Sequence, residues 1–183
     1  MAENLAYLPK VFGPTSGSEN DGQGFGAKKE AYYYVYDYDG TNIEEAKKMV
    51  NYQIFGVLYN LQAAKNACPT GWHLPNQFEW EDLVKEVGKK KVRGGNMKET
   101  GTAHWMEPNS GATNESGFTG LPGGFRLYNG SFAGIGYQGR FWCDWFGDST
   151  ASFWTLYSEE SGIYSLNHYD FKDMGLSVRC LKY

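Results

Sequence analysis

Between Gly94 and Gly139 the chain alternates Gly, Asn, Ser and Thr with single aromatic residues and never settles into a helical or strand period. A stretch of this length with no period of its own must be ordered by tertiary contacts, as structured loops with brief strands. That disfavours a helical bundle, and no internal repeat offers a solenoid instead. The aromatic content fits the same picture. With 14 Tyr, 11 Phe, 6 Trp and 24 Gly, large side chains need room and glycine lets the backbone turn sharply between them. At 183 residues and 21% charged the chain is sized for one globular domain. A net charge of -4 provides no basic stripe for phosphate neutralisation, so nucleic acid is not an expected partner. No run approaches the ~20 apolar residues needed to span a bilayer.

Residues 13–30 are Gly-, Ser- and polar-rich and read as a surface loop. Tyr32 to Tyr38 is a strong β-forming run ending at Asp39-Gly40. Thr41 to Glu44 has capping-box spacing and predicts a helix to about Val50. Phe55 to Tyr59 reads as a short strand or turn before a second helix capped by Asn60 and ended by Cys68-Pro69. The clearest helix starts at Asn76, with Glu79 three residues on, then Trp80, Leu83, Val84 and Val87 on one face and Gly88 as its stop. Lys89-Lys90-Lys91 reads as a solvated turn. Three late strands are expected at Phe153–Tyr157, Ile163–His168 and Leu176–Leu181, the last alternating between two faces. Helices early and strands late give an α+β domain, with two or three short helices on small antiparallel sheets and a long structured loop region.

Several blocks carry a resemblance. They are MAENLAYLP at 1–9, FGVLYNLQAA at 55–64, ACPTGWHLPNQFEWEDL at 67–83, MKETGTAHW at 97–105, GATNESGFTGLPGGFR at 111–126 and GLSVRCLKY at 175–183. Together they resemble the Fibrobacter succinogenes major paralogous domain, found in many exported bacterial proteins, over almost the whole chain. The family places residues ending in Trp before MAENL, so the resemblance implies one domain over 1–183 that is truncated within its first strand. It also departs from the family at Phe141-Trp142-Cys143-Asp144-Trp145, where relatives carry a Trp-Trp-Ser-Ser-Thr type segment. The family in turn looks like a branch of the C-type-lectin-like and sulfatase-modifying-factor superfold. That likeness implies a C-type-lectin-like fold and a disulfide from Cys68 to Cys180, and the family's occurrence in exported proteins implies a location outside a bacterial cell or on its surface. The other reading of these two cysteines is a pair of buried free thiols in a reducing compartment. Cys143 is then single, a buried apolar residue rather than a nucleophile.

The sulfatase-modifying chemistry needs two active-site cysteines, and one spare cysteine does not supply them. No HExxH, CxxC or GxxxxGK[ST] motif occurs. A lone Cys143 would need a basic partner, and His73, His104 and His168 are scattered. The resemblance also offers a calcium site: Glu107-Pro108-Asn109 is the tripeptide sugar-binding C-type lectins use for calcium and sugar, and Trp142-Cys143-Asp144 imitates their later element. Asp144, Asp148, Glu159 and Glu160 could add oxygens, or could form a solvated edge, just as Pro108-Asn109 could simply shape a turn. The expected function is a surface binding or adhesion module with a glycan or protein ligand and no cofactor beyond a possible calcium. Its face is assigned to Trp105, Arg126, Trp142, Trp145, Trp154 and Tyr169, aromatic planes with one planar donor, at least half of them expected to be buried. An enzyme using an unrecognised carboxylate or Cys143 site, and a structural domain of a larger assembly, are the alternatives.

Overall fold

The computed structural model describes residues 3–18, 30–145 and 151–183, with the side chains of all of these except residues 168–170. It is an α+β fold. Among the described residues, five short helices are followed by a five-stranded sheet, and two small two-stranded sheets accompany them.

Three of these helices begin where a side chain replaces the missing backbone acceptors of a first turn. In α1 (Ile43–Ala46) the cap is Asn42, whose oxygen accepts from the amides of Glu44 and Glu45. The predicted single helix to Val50 is two pieces, because α2 (Val50–Phe55) restarts after a turn at Lys47–Met49. Asn60 caps α3 (Leu61–Ala67) through the Ala63 amide. Asn76 and Glu79 form a reciprocal capping box on α4 (Gln77–Glu86), burying Trp80 and Val84. Gly88 follows in the left-handed region, φ 123. α5 (Arg93–Met97) lies where the sequence predicts a loop. Its Gly94 and Gly95 press against the carbonyls of Gly162 and Gly111 so closely that a Cβ at either position would overlap them.

Strands β1 (Tyr33–Tyr34) and β2 (Leu58–Tyr59) pair antiparallel, as do β3 (Trp72–His73) and β9 (Leu181–Lys182). The main sheet has the order β5-β4-β6-β7-β8, built from β4 (Gly123–Arg126), β5 (Phe132–Ile135), β6 (Gln138–Cys143), β7 (Ala151–Tyr157) and β8 (Ile163–His168). All its pairs are antiparallel except β4 with β6.

Leu176 to Cys180 does not alternate as predicted. All five residues are buried, and the segment runs extended between elements as isolated bridges to Tyr59 and Phe141. Burial on both faces is possible because Arg179, the polar member, donates to Asn4 Oδ1 and to the carbonyls of Phe118 and Thr119, each at 2.8 Å. Cys68, ending α3, is joined to Cys180 across a separation of 112 residues, as the resemblance implied. The predicted loop 13–30 lies largely on residues 19–29, outside the described residues. Of its start, residues 13–18 make two turns, Ser16 to Gly13 and Ser18 to Thr15.

The core falls into two main clusters. One surrounds α3, the N-terminal strand-like segment, Trp142 and Leu176–Cys180. The other, under α4 and α5, contains Trp80, Met97, Trp105, Phe141, Cys143 and Trp154.

Candidate functional site

Of the six residues of the sequence-predicted aromatic face, four are buried, in line with the expectation that at least half would be. Trp105, Trp142 and Trp154 are buried, and Trp105 and Trp142 spend their indole N–H groups on the carbonyls of Gly120 and Tyr59. Arg126 is fully buried. Its three nitrogens each donate to a carbonyl, of Pro14, Asp173 and Ser16, and its guanidinium lies 4.4 Å from the centre of the Tyr34 ring. It clamps two chain segments and, fully buried, lies out of a ligand's reach. Trp145 is partly exposed, at the end of a described stretch, and the Tyr169 side chain lies outside the described residues.

The proposed calcium set is also dispersed. Asn109 hangs at the β7 exit, where Ser110 N–H donates to the Ser158 carbonyl. Its side-chain amide is locked to the carbonyls of Glu99 and Gly101 at 2.9 and 2.6 Å, so it forms a turn. Asp144 follows the other end of β6, with its N–H on the Pro75 carbonyl and a carboxylate oxygen 3.6 Å from Lys65 Nζ. β6 runs six residues, five steps, from Gln138, opposite Tyr157, to Cys143, opposite Ser152. That is ~17 Å of strand, too far for one ion. Glu107 is exposed, and Asp148 lies outside the described residues. Among the described residues, no three His, Cys, Asp or Glu side chains converge as metal ligands.

Cys143 is buried beside Gln77 and the Asp144 carbonyl. Burial pushes its thiol up to about 12, only partly opposed by a hydrogen bond from Ser152. At neutral pH this burial favours the protonated thiol. His73 and His104 pair elsewhere, with Glu79 at 2.8 Å and Glu99 at 2.9 Å.

A different face has the chemistry of a binding site. Residues directly opposite one another in an antiparallel ladder point to the same side. Gln138 faces Tyr157, Arg140 faces Thr155, and Thr155 faces Tyr164. These side chains, with Tyr137 from the turn before β6, form one strip across three strands. The rings of Tyr137, Tyr157 and Tyr164 follow one another at 5.9 Å between centres, each tilted by close to 70° from the last. All three are at least partly exposed, Tyr164 at 44%. Two carboxylates edge the strip: Glu159 accepts from the Tyr137 hydroxyl at 3.4 Å and Glu160 from that of Tyr164. The Glu160 hydrogen bond, then burial, raises the ordinary pKa of Tyr164. At Tyr137 burial leads, with the Glu159 charge behind it.

Arg140 sits at the centre. Its guanidinium is 3.5 Å from the Phe125 ring centre and 5.3 Å from that of Phe153, a stacked seat that fixes its plane. Nε donates to Gln138 Oε1 at 2.9 Å. The two terminal amino groups have no protein partner among the described residues and are not buried. Burial draws its pKa down to about 10, which leaves it cationic at neutral pH. Beside it, Thr155 is fully buried and its hydroxyl also lacks a protein partner. The sequence signal that could have found this strip was the alternation Phe153, Thr155, Tyr157, which already puts these three on one face.

A third buried cation, Lys98, holds the β7–β8 connection. Its ammonium donates to the carbonyls of Tyr157, Ser158 and Glu160 at 3.0, 3.4 and 3.0 Å. It lies 5.3 Å from the Trp105 ring centre, and burial pulls it down to about 8. The turn bearing Glu159 and Glu160 is thus fixed from beneath.

No curated protein and no solved structure matches the chain. The blocks that anchor this architecture, the capped α4 and the cysteines at 68 and 180, lie within a match to the family model of the Fibrobacter succinogenes major domain, and that match spans residues 1–182, so the chain belongs to this family.

Proposed function

We propose that this domain is a non-catalytic binding module for carbohydrate, displayed outside the cell, and that it holds sugar on the strip of Tyr137, Gln138, Arg140, Tyr157 and Tyr164. The observation that carries the reading is Arg140. Lys98, Arg126 and Arg179, the buried cations among the described residues, donate to protein oxygens, whereas Arg140 keeps two amino groups without a protein partner at the middle of an aromatic row. A fixed guanidinium donates in parallel to adjacent hydroxyl oxygens or to a carboxylate. Tyrosine rings offer apolar planes to the C–H faces of a sugar, and Glu159, Glu160 and Gln138 accept from its hydroxyls. The Cys68–Cys180 bridge supports an oxidising compartment.

The test is a glycan array of the oxidised protein with calcium and with EDTA, followed by calorimetry of the hits. Binding should be indifferent to EDTA, because the calcium ligands read from sequence stand at opposite ends of β6. Arg140→Gln and Tyr164→Ala should each weaken a hit by roughly ten-fold or more, the loss of one charged hydrogen-bonding group or one stacked ring. A blank array would end the carbohydrate reading in favour of a protein ligand. Hits unmoved by both substitutions would place the site elsewhere.

A further inference from the structure

β8 is the outermost strand of the main sheet, and among the described residues nothing pairs with the edge it turns away from β7. Six residues of such an edge present unpaired N–H and C=O groups over ~20 Å. Soluble proteins normally blunt an edge of this kind with lysine, proline, an inward charge or a bulge. β8 has none of these. Its sequence is Ile163-Tyr164-Ser165-Leu166-Asn167-His168, and its register with β7 is unbroken over six pairs. The side chains from Tyr164 to Asn167 are all exposed, with Tyr164 at 44% and Leu166 at 40%.

The pattern is self-complementary. Tyr164 and Leu166 stand two residues apart on one face, with small Ser165 between them. Antiparallel pairing with a second copy about a two-fold axis through Ser165 sets each Tyr164 opposite the other copy's Leu166, and each Ile163 opposite Asn167. Aromatic–aliphatic cross-strand pairs of this sort stabilise a ladder. The strand carries no Asp, Glu, Lys or Arg, so this register brings no like charges together. We infer that β8 is a homotypic docking edge, through which two copies of this chain join their sheets into one ten-stranded sheet. Neighbouring strands share a face, so the two tyrosine strips would lie side by side on the same surface. The inference rests on the edge alone and stands whether or not those strips bind sugar.

Two six-residue strands bury less than the roughly 1,200 Å² of a stable interface. The dimer therefore forms at high concentration and dissociates on dilution. Sedimentation velocity over a roughly hundred-fold concentration range should show a reversible monomer–dimer equilibrium. Leu166→Lys, at an exposed position of the edge strand, should shift the midpoint to at least ten-fold higher concentration while the melting curve stays cooperative. Ser165→Cys should form a disulfide-linked dimer in air, since opposed Cα atoms in a ladder lie ~4.5–5.5 Å apart, within disulfide reach. Thr102→Cys, on an exposed turn far along the chain, serves as the collision control. A wild-type monomer at every concentration, a dimer indifferent to Leu166→Lys, or a Ser165→Cys cross-link no faster than that of Thr102→Cys would each overturn the inference.

Discussion

Replacing both Cys68 and Cys180 with alanine separates two contributions that the native structure combines. The bridge closes a separation of 112 residues. In the chain-entropy account, freeing such a loop raises the entropy of the unfolded chain by ~16 cal/mol/K, or about 4.8 kcal/mol at 25 °C. The folded chain has other reasons to keep its shape. Leu176, Val178 and Cys180 are buried, Leu5 N–H donates to the Val178 carbonyl, and Arg179 donates to three acceptors. The double variant should therefore fold to the same structure and melt roughly 10–20 °C lower, at about 2–4 °C per kcal/mol for a domain of this size. Calorimetry and near-ultraviolet circular dichroism of the oxidised, reduced and double-alanine proteins would decide the matter. A fall of under about 5 °C would refute the unfolded-state argument. Loss of the native near-ultraviolet signal at low temperature would instead show that the sulfurs hold the 176–180 segment in place.

Gly94→Ala sets a Cβ 1.9 Å from the Gly162 carbonyl oxygen, backbone against backbone with no side chain to yield. A loss of about 3 kcal/mol or more is expected, at the upper end for overpacking, and thermal melting reads it directly. The folded pKa of Cys143, about 12, lies above its unfolded value, so its contribution to stability is complete below pH 9 and is lost as pH rises through 12. Melting temperatures should then fall less steeply above pH 9 in Cys143→Ala than in the wild type, and iodoacetamide should modify Cys143 only as fast as the chain opens.

What was legible in the sequence was local. α3 and α4 were readable because their caps, Asn60 and Asn76, act within three residues, and β7 and β8 because each is a continuous β-forming run. α5 was not, since a helix containing Gly94-Gly95 has poor propensity and owes its existence to carbonyls far along the chain. The 176–181 segment alternates in sequence but is buried on both sides, because Arg179 finds acceptors at positions 4, 118 and 119. The site was displaced for the same reason. Arg126 and Arg140 look alike in sequence, and only distant partners decide that Arg126 is consumed by Pro14, Ser16 and Asp173 while Arg140 keeps its amino groups. The calcium residues were plausible in type, and failed because strand register sets them at opposite ends of β6.

The buried run Leu176–Cys180 also fixes when this chain can fold. It donates to or accepts from Leu5, Tyr59, Arg140 and Trp142, so the first segment, β2 and the centre of the main sheet all lean on residues that a ribosome adds late. A nascent chain that stops short of Cys180 has helices to form but no partner on which to close its core. Contacts spanning up to 175 residues also make closure slow, since loop entropy is lost before the contacts reward it. Until then the polypeptide lacks the segment on which both the first cluster of its core and its one cross-link depend.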